Sequence, residues 1–321
     1  MNAIEKRILE LQQYQPQLDK PEHFDAYWEQ VKQEARSGEL KAERKPAETY
    51  MKGVTTYEVI IEGYAGTSIH TTLSLPSEQQ QITAPYPCLM QLPGYTCERS
   101  NSYQHAHWLL MGAAVFSVDV RGQGKDTGNQ LGSSHGMARG WITEGLLDVD
   151  RCYYKAVAVD LLRALAWLKA QPEIDASRIG VMGASQGGGL ASLMAALDDS
   201  IAMLIADIPN MCHMDFGIMH STGSLSEIAE FCRKMPEKLP AVLTTLSYFD
   251  LIHFADRIHK PVLMSVGLKD TVCMPEQIFP FFQAIRSEHK QLEIYPFSGH
   301  VVELAQQQKA IQFVHETLLR I

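Results

Sequence analysis

A glycine-flanked serine turn constrains the fold of this chain more than any other feature of its sequence. The pattern Gly183-x-Ser185-x-Gly187 follows an apolar segment and precedes a helical one, which is typical of the strand-turn-helix element called a nucleophile elbow. Such a turn crowds its neighbours, so glycine supplies both room and unusual backbone angles. The pattern predicts a serine hydroxyl held at a strand tip, beside a helix N-terminus. The alternative is a glycine-rich turn that carries a passenger serine.

An acid and a histidine follow in the chain order that this elbow requires. Asp270 ends the apolar segment 261–270, and His300 comes shortly after the predicted strand 292–296. Both lie at the C-terminal ends of predicted strands, where an open α/β sheet places its ligand crevice. A histidine can accept the serine proton, while a carboxylate fixes the imidazole tautomer. These two residues and Ser185 are therefore predicted to form a catalytic triad.

Other residues compete for these roles. Asp250 and Asp256 are alternative acids, but neither follows a clear strand. The chain has 12 histidines, and His300 differs from the others by following the last strand and by the glycine before it. Cys97, His105 and His107 raise the question of a metal site, but their spacing matches no standard ligand set. The sequence therefore predicts neither a metal nor a cofactor.

Length and composition agree with an α/β enzyme. The 321 residues are 45% hydrophobic and 20% charged, so they can form a large core. We expect one domain over residues 1–321, with an N-terminal helical extension over about 1–50. A helical insertion is expected over about 211–257, either above the crevice or as peripheral packing.

The net charge of −9, without a block of basic residues, argues against nucleic acid and against an anionic membrane surface as partners. No apolar run is long enough to span a bilayer. The six cysteines form no C-x-x-C pair, which favours reduced thiols and a cytoplasmic location.

Strands and helices alternate from Tyr86 onward. Apolar segments at 86–92, 113–120 and 201–206 predict buried strands, and helical spacing marks 157–168. This alternation predicts a mostly parallel sheet with helices on both faces. Before it, the spacing predicts an amphipathic helix over about 22–36 and a hairpin of strands 56–62 and 68–75.

Two loops complete the predicted site. The loop after strand 86–92 contains Tyr95, whose backbone N–H is expected to form an oxyanion hole with the N–H of Gln186, the residue after the serine. The loop after strand 113–120 contains Arg121 and Gln123. We interpret these two side chains as scaffold that braces the active-site loops, with a substrate contact as the alternative.

Four motifs together resemble the acetyl xylan esterase and cephalosporin C deacetylase family, carbohydrate esterase family seven. The matching segments are Arg121-Gly122-Gln123, the elbow with its Gly187-Gly188-Gly189, 265–270, and Gly299-His300. The resemblance implies an α/β-hydrolase fold with a helical insertion before the acid-bearing strand. It also implies the same triad and the same two oxyanion amides.

The resemblance further implies removal of acetyl groups from small esterified sugars or cephalosporin C, no cofactor, and a homo-oligomer, commonly a hexamer. Two positions depart from the family pattern: Pro93 where histidine is frequent, and Val301 where glutamate is frequent. Neither replaces a triad residue. Both leave open which acyl and alcohol groups the protein prefers. A serine peptidase, a lactone hydrolase and a catalytically silent binding protein of the same fold remain alternatives.

Overall fold

A computed structural model describes residues 1–76, 83–124, 126–133 and 140–320. The strands of this part are β1 Ala42–Ala47, β2 Val54–Glu62, β3 Ser68–Pro76, β4 Tyr86–Leu92, β5 Ala114–Val118, β6 Ile174–Ala184, β7 Ile201–Asp207, β8 Val262–Gly267 and β9 Lys290–Tyr295. The helices are α1 Ala3–Gln13, α2 Phe24–Arg36, α3 Ala106–Leu110, α4 Tyr153–Lys169, α5 Gln186–Leu197, α6 Met214–His220, α7 Leu225–Lys234, α8 Leu239–Ser247, α9 Pro275–Ala284 and α10 Leu304–Val314.

These strands form one sheet in the order β1-β2-β3-β5-β4-β6-β7-β8-β9. The first three strands pair antiparallel with their neighbours, and every pair from β5 to β9 is parallel. The prediction of a mostly parallel α/β sheet is therefore confirmed. Its parallel strands all end at one edge, and β6, β8 and β9 lead there into the segments that contain Ser185, Asp270 and His300.

The sheet separates two hydrophobic cores. Side chains alternate between the faces of a strand, so Leu204 and Ala206 of β7 pack in one core and Met203 and Ile205 in the other. The first core includes α4 and α5, and the second includes α3 and α10. Both faces of the sheet are therefore covered by helices, as expected.

The N-terminal region contains more structure than the sequence indicated. Helix α2 is where its aromatic spacing predicts it, with Phe24 and Trp28 fully buried. The indole nitrogen of Trp28 donates to the carbonyl of Tyr248, at 2.9 Å. Helix α1 lies within the helical extension predicted over about 1–50, whereas strand β1, in the same region, was not predicted. Strand β1 pairs with β2, so the outer strand of the predicted hairpin does not lie at the edge of the sheet.

The insertion between β7 and β8 is helical, as predicted. Residues 211–257 form α6, α7, α8 and short 3-10 turns, with no strand among them. Of its large apolar side chains, Met211, Met214 and Phe231 are buried in the first core, in agreement with the packing alternative. Phe216 stacks on His213 instead, and Met219 is exposed. Packing demand within the insertion, rather than the crevice, explains these residues.

In the residues that the structure describes, none of the helices combines the length and the apolar character needed to cross a bilayer.

Candidate active site

The serine elbow has the geometry that the glycine pattern predicts. Ser185 lies directly before α5 with φ 57° and ψ −123°, a backbone conformation that residues other than glycine rarely adopt. A Cβ atom on Gly183 would lie 2.4 Å from the carbonyl carbon of Gly187, and one on Gly187 would lie 2.2 Å from the carbonyl oxygen of Leu92. Only glycine fits at these two positions, so the chain can turn sharply and hold the serine at the end of β6.

The three predicted triad residues lie together in one hydrogen-bonded row. His300 Nε2 is 3.0 Å from Ser185 Oγ, and His300 Nδ1 is 2.8 Å from Asp270 Oδ2. These contacts join the loops that follow β6, β8 and β9. In the sheet β8 and β9 are neighbours, and β7 lies between β6 and β8. An imidazole in this position can take a proton from the hydroxyl while the carboxylate stabilises the resulting imidazolium.

The loop after β8 holds the acid in place. Asp270 is buried, and its Oδ1 accepts hydrogen bonds from the backbone amides of Val272 (2.7 Å) and Cys273 (3.0 Å). The other oxygen is thereby directed to the histidine. Of the alternative acids, Asp256 is exposed. Asp250 is buried and accepts from the amides of His213 and Met214, so it ties the insertion together instead.

The two predicted oxyanion amides lie in neighbouring segments. The loop after β4 packs on the first turn of α5, as the close approach of the Leu92 carbonyl to Gly187 shows. Among the described residues, the amides of Tyr95 and Gln186 have no hydrogen-bond acceptor. N–H groups without an acceptor in the protein, one of them in the residue directly after the serine, are the kind of donor that a tetrahedral oxyanion requires.

Gln123 joins both oxyanion segments, as the scaffold interpretation predicts. Its side chain forms a reciprocal amide pair with that of Gln186, at 3.0 and 3.1 Å. Its Oε1 also accepts from the backbone amide of Thr96, at 2.9 Å, and its Nε2 donates to the Tyr153 hydroxyl, at 2.8 Å. Gln123 therefore fixes the residue after Tyr95 and the residue after Ser185 relative to each other.

Arg121 is fully buried beneath this network. Its guanidinium donates twice to the carboxylate of Asp160, both times at 2.7 Å, and once to the carbonyl of Tyr64. Its own carbonyl accepts from the Tyr153 hydroxyl, at 2.6 Å. These contacts connect α4 to the loop of Gln123. They support the scaffold interpretation over a substrate contact, because the guanidinium faces protein groups.

Glu227 of α7 is a site residue that sequence reasoning missed. Its carboxylate accepts a hydrogen bond from the Tyr95 hydroxyl, at 2.7 Å, and Trp141 packs edge-on against the same ring. Burial, followed by the nearby carboxylate, raises the pKa of Tyr95 well above its ordinary value. The insertion thus contacts the oxyanion loop through a polar side chain. No local pattern marks Glu227, since its partner lies far away in the sequence.

Cys273 was also missed, and it closes one side of the serine. Its thiol lies 3.9 Å from Ser185 Oγ and is fully buried in the first core. Burial raises the pKa of Cys273 well above that of a free thiol. At neutral pH the thiol is therefore uncharged and forms an apolar wall beside the serine hydroxyl. Its position three residues after the acid was the only available signal.

Potential metal ligands cluster away from this site. Within the described ranges, Glu58, His70 and Asp126 form the one group of close histidine, cysteine or acidic side chains. The Arg99 guanidinium pairs with Glu58 at 3.4 Å and with Asp126 at 3.1 Å, so both acids already have a cationic partner within the protein. The cysteine and histidines considered from sequence spacing are not part of it.

Comparison with known proteins places the chain in a family. Residues 1–317 match the family model described as acetyl xylan esterase (AXE1). Acetyl esterase Axe7A of Xylanibacter ruminicola is 25% identical over 292 residues, which are 89% of this chain and 64% of that protein. The chain therefore spans less than two thirds of the length of that relative.

Two solved structures are similar over almost their entire length. The acetyl xylan esterase from Paenibacillus sp. R4 superposes with a TM-score of 0.92 at 32% identity, covering 97% of this chain and 99% of that one. Acetyl xylan esterase 1 from Thermoanaerobacterium sp. JW/SL YS485 gives 0.90 at 29% identity, covering 97% and 98%. With its α/β-hydrolase fold and whole-length family match, the chain belongs to the acetyl xylan esterase family.

Proposed function

We propose that this protein hydrolyses acetyl esters through a covalent acetyl-enzyme on Ser185. The observation that carries the proposal is the position of His300, whose two ring nitrogens contact the serine hydroxyl and a buried aspartate. Membership of the acetyl xylan esterase family supports the acetyl group as the acyl part. The serine mechanism is supported by the geometry alone.

In the first half-reaction, Ser185 Oγ attacks the ester carbonyl carbon while His300 Nε2 accepts its proton. The carbonyl oxygen becomes an oxyanion and accepts hydrogen bonds from the amides of Tyr95 and Gln186. When the tetrahedral adduct collapses, the bond to the alcohol oxygen breaks and His300 protonates that oxygen. The alcohol leaves and the acetyl group stays on the serine.

In the second half-reaction, water attacks the acetyl carbon and gives a proton to His300. The same two amides hold the second oxyanion. Collapse breaks the bond to Ser185 Oγ, which recovers the proton from His300, and acetic acid departs and ionises in water. Asp270 keeps the imidazole in one tautomer through both halves. Acetylated xylo-oligosaccharides and cephalosporin C are the substrates we propose to compare.

A short acyl group is supported by the wall beside the serine. The Cys273 thiol lies 3.9 Å from Ser185 Oγ, which leaves little space on that side. Aryl esters of increasing acyl length test this directly. We expect kcat/KM to fall at least about tenfold from acetyl to butyryl, because added methylenes meet a packed wall. A value that climbs toward octanoyl would contradict the proposal.

The wall itself is tested by Cys273→Ala. Removing the thiol should raise the butyryl-to-acetyl ratio of kcat/KM several-fold, since the space next to the hydroxyl increases. Cys88→Ala is the matched control, because Cys88 is equally buried but lies in the middle of β4. An equal change of the ratio in both variants would show that Cys273 does not limit the acyl group.

A further inference from the structure

A cavity of about 220 Å³ lies between the segment that joins α1 to α2 and the helical insertion. We call it the α6/α8 cavity; its wall includes Leu18, Asp19, Met214, Leu246, Asp250 and His253. None of the described residues that line it belongs to the triad or to the oxyanion hole. Its walls come from stretches far apart in the sequence, so the cavity forms only where the N-terminal region packs on the insertion.

The wall of this cavity is acidic. Asp19, Asp215 and Asp250 line it, whereas none of its described lining residues is a lysine or an arginine. Asp215 has an ion-pair partner, the ring of His213 at 3.4 Å, which is charged only when protonated. In the part of the chain that the structure describes, Asp19 and Asp250 have no ion pair. The cavity therefore carries negative charge that the protein does not balance with a fixed cation.

Asp250 is the buried part of this charge. Its Oδ1 accepts from the amides of His213 and Ile252, and its Oδ2 accepts from the amide of Met214. A carboxylate oxygen has two lone pairs, so Oδ2 has capacity for one further hydrogen bond. Amides carry no net charge, and burial raises the pKa of Asp250 to about 6 despite them. A cation in the cavity would supply the countercharge that this carboxylate lacks.

His253 is an independent feature that points to a ligand. Its residue is only 7% exposed, yet neither ring nitrogen has a hydrogen-bond partner among the described residues. These nitrogens are not among the fully enclosed unpaired atoms, so they border the cavities that His253 lines. Burial, followed by Lys20, lowers the pKa of His253. At neutral pH its uncharged ring therefore offers one nitrogen that can accept a hydrogen bond.

The apolar part of the wall and the volume narrow the ligand further. The remaining wall is mostly apolar and contains Leu18, Met214, Leu243 and Leu246. The volume lies below the range of about 300–1,000 Å³ for drug-sized sites, so the ligand has few heavy atoms. An anion would meet only like charge. A metal ion fits less well, because the one group of closely spaced metal-binding side chains in the described ranges lies elsewhere, beside Arg99.

From these observations we propose that the α6/α8 cavity binds a small organic cation, an alkylammonium group with a short apolar chain. The ammonium donates hydrogen bonds to the Asp250 carboxylate and the His253 ring, with Asp19 at the exposed mouth. The alkyl chain packs on Met214 and Leu246. The bound cation bridges the N-terminal segment and the insertion, so it raises the melting temperature. The inference does not rest on the proposed function, because no step involves Ser185.

The experiment measures binding of butylammonium chloride to the full chain by isothermal titration calorimetry at constant ionic strength. 1-Butanol is the uncharged probe of matched length, and we expect wild type to bind butylammonium at least tenfold more tightly. Asp19→Asn should weaken butylammonium binding at least threefold. Leu243→Trp, which fills the cavity from a rim position that is 37% exposed, should weaken it at least tenfold.

Asp256→Asn is the matched control. Asp256 is exposed like Asp19 but lines the neighbouring cavity instead, so its substitution should change the Kd less than twofold. Absence of butylammonium binding to wild type, equal affinity for 1-butanol, or equal weakening in Asp19→Asn and Asp256→Asn would overturn the inference. Unchanged binding in folded Leu243→Trp would place the amine elsewhere and overturn it too. If melting temperature shows that Leu243→Trp does not fold, Asp19→Asn decides the matter.

Discussion

At the residue scale, the backbone conformation of Ser185 is strained, and hydrogen bonds to neighbouring segments stabilise it. A non-glycine residue at φ 57° is strained by about 1–3 kcal/mol. Three backbone hydrogen bonds offset this: the serine amide donates to the Asp207 carbonyl at 2.9 Å, and its carbonyl accepts from Gly189 and Asn210, each at 3.0 Å. The strain was predictable from the glycines that flank the serine. The hydrogen-bond partners, which lie in the next strand and the loop after it, were not predictable.

Gln123 is the residue whose loss should most clearly separate catalysis from binding. Gln123→Ala removes the link between the Thr96 amide and the Gln186 side chain, so the two oxyanion amides lose their fixed spacing. Since that spacing matters for the transition state more than for the bound ester, we expect kcat to fall roughly tenfold or more with little change in KM. Steady-state kinetics on an acetyl ester measure it. Gln130→Ala, at an exposed position nearby, is the control, and a pure KM effect would contradict the bracing role.

Asp207 should make stability depend on pH in a known direction. Burial raises the pKa of its carboxyl to about 6, although Ser265 and Gln306 oppose the shift. Because this pKa lies above that of an unfolded chain, about 3.9, the folded state binds the proton more tightly. The stabilising contribution is therefore complete below about pH 4 and is lost as pH rises to about 6.

Asp207→Asn should remove that dependence. Between about pH 4 and 6, its free energy of unfolding should fall less than that of wild type, by about 1–3 kcal/mol. Asp250, whose pKa burial also raises to about 6, is present in both proteins and cancels in the comparison. Urea unfolding at several pH values gives the result. Parallel curves for the two proteins would show that Asp207 does not titrate as described.

At the element scale, the predictable parts are those with strong local patterns. Strand β4 was predicted with its exact bounds, since it is buried on both faces and reads as a continuous apolar run. Strand β1 was missed because Glu43, Arg44, Lys45 and Pro46 are a poor strand pattern; pairing with β2 imposes its conformation. Helices α9 and α10 were not predicted either.

The contact between the oxyanion loop and α7 should be energetically coupled. The Tyr95 hydroxyl donates to Glu227, a charge-assisted bond worth about 1–3 kcal/mol when partly buried. We expect Tyr95→Phe and Glu227→Ala each to lower kcat/KM about three- to thirtyfold. The kcat/KM of the double variant should be no lower than that of the less active single variant, because both substitutions break the same contact. Multiplicative losses in the double variant would mean that the two side chains act independently.

At the scale of the whole molecule, the site is assembled from segments distant in sequence. The triad, the oxyanion loop and the insertion meet only because β4, β6, β8 and β9 end at one sheet edge. The order of elbow, acid and histidine made the triad predictable. The contacts of Gln123 and Glu227 were not, since they depend on side-chain positions that only the folded chain defines.

Oligomeric state is a prediction of the family resemblance, which implies a homo-oligomer. The outermost strand β1 has exposed charged side chains and a proline, features that discourage strand pairing between copies. Any assembly should therefore use another surface. Light scattering at micromolar concentration should give a multiple of the 35.9 kDa chain mass, and a mass equal to one chain would contradict the prediction.

The central claim is that Ser185 is the nucleophile, and the turnover of Ser185→Ala tests it most directly. The variant should keep the fold, because within the described ranges the hydroxyl bonds to His300 and Cys273 alone, so circular dichroism and melting temperature should match wild type. Its kcat on an acetyl ester should fall by roughly three to six orders of magnitude. Folded Ser185→Ala protein that keeps about a tenth of wild-type turnover would show that another group attacks the ester.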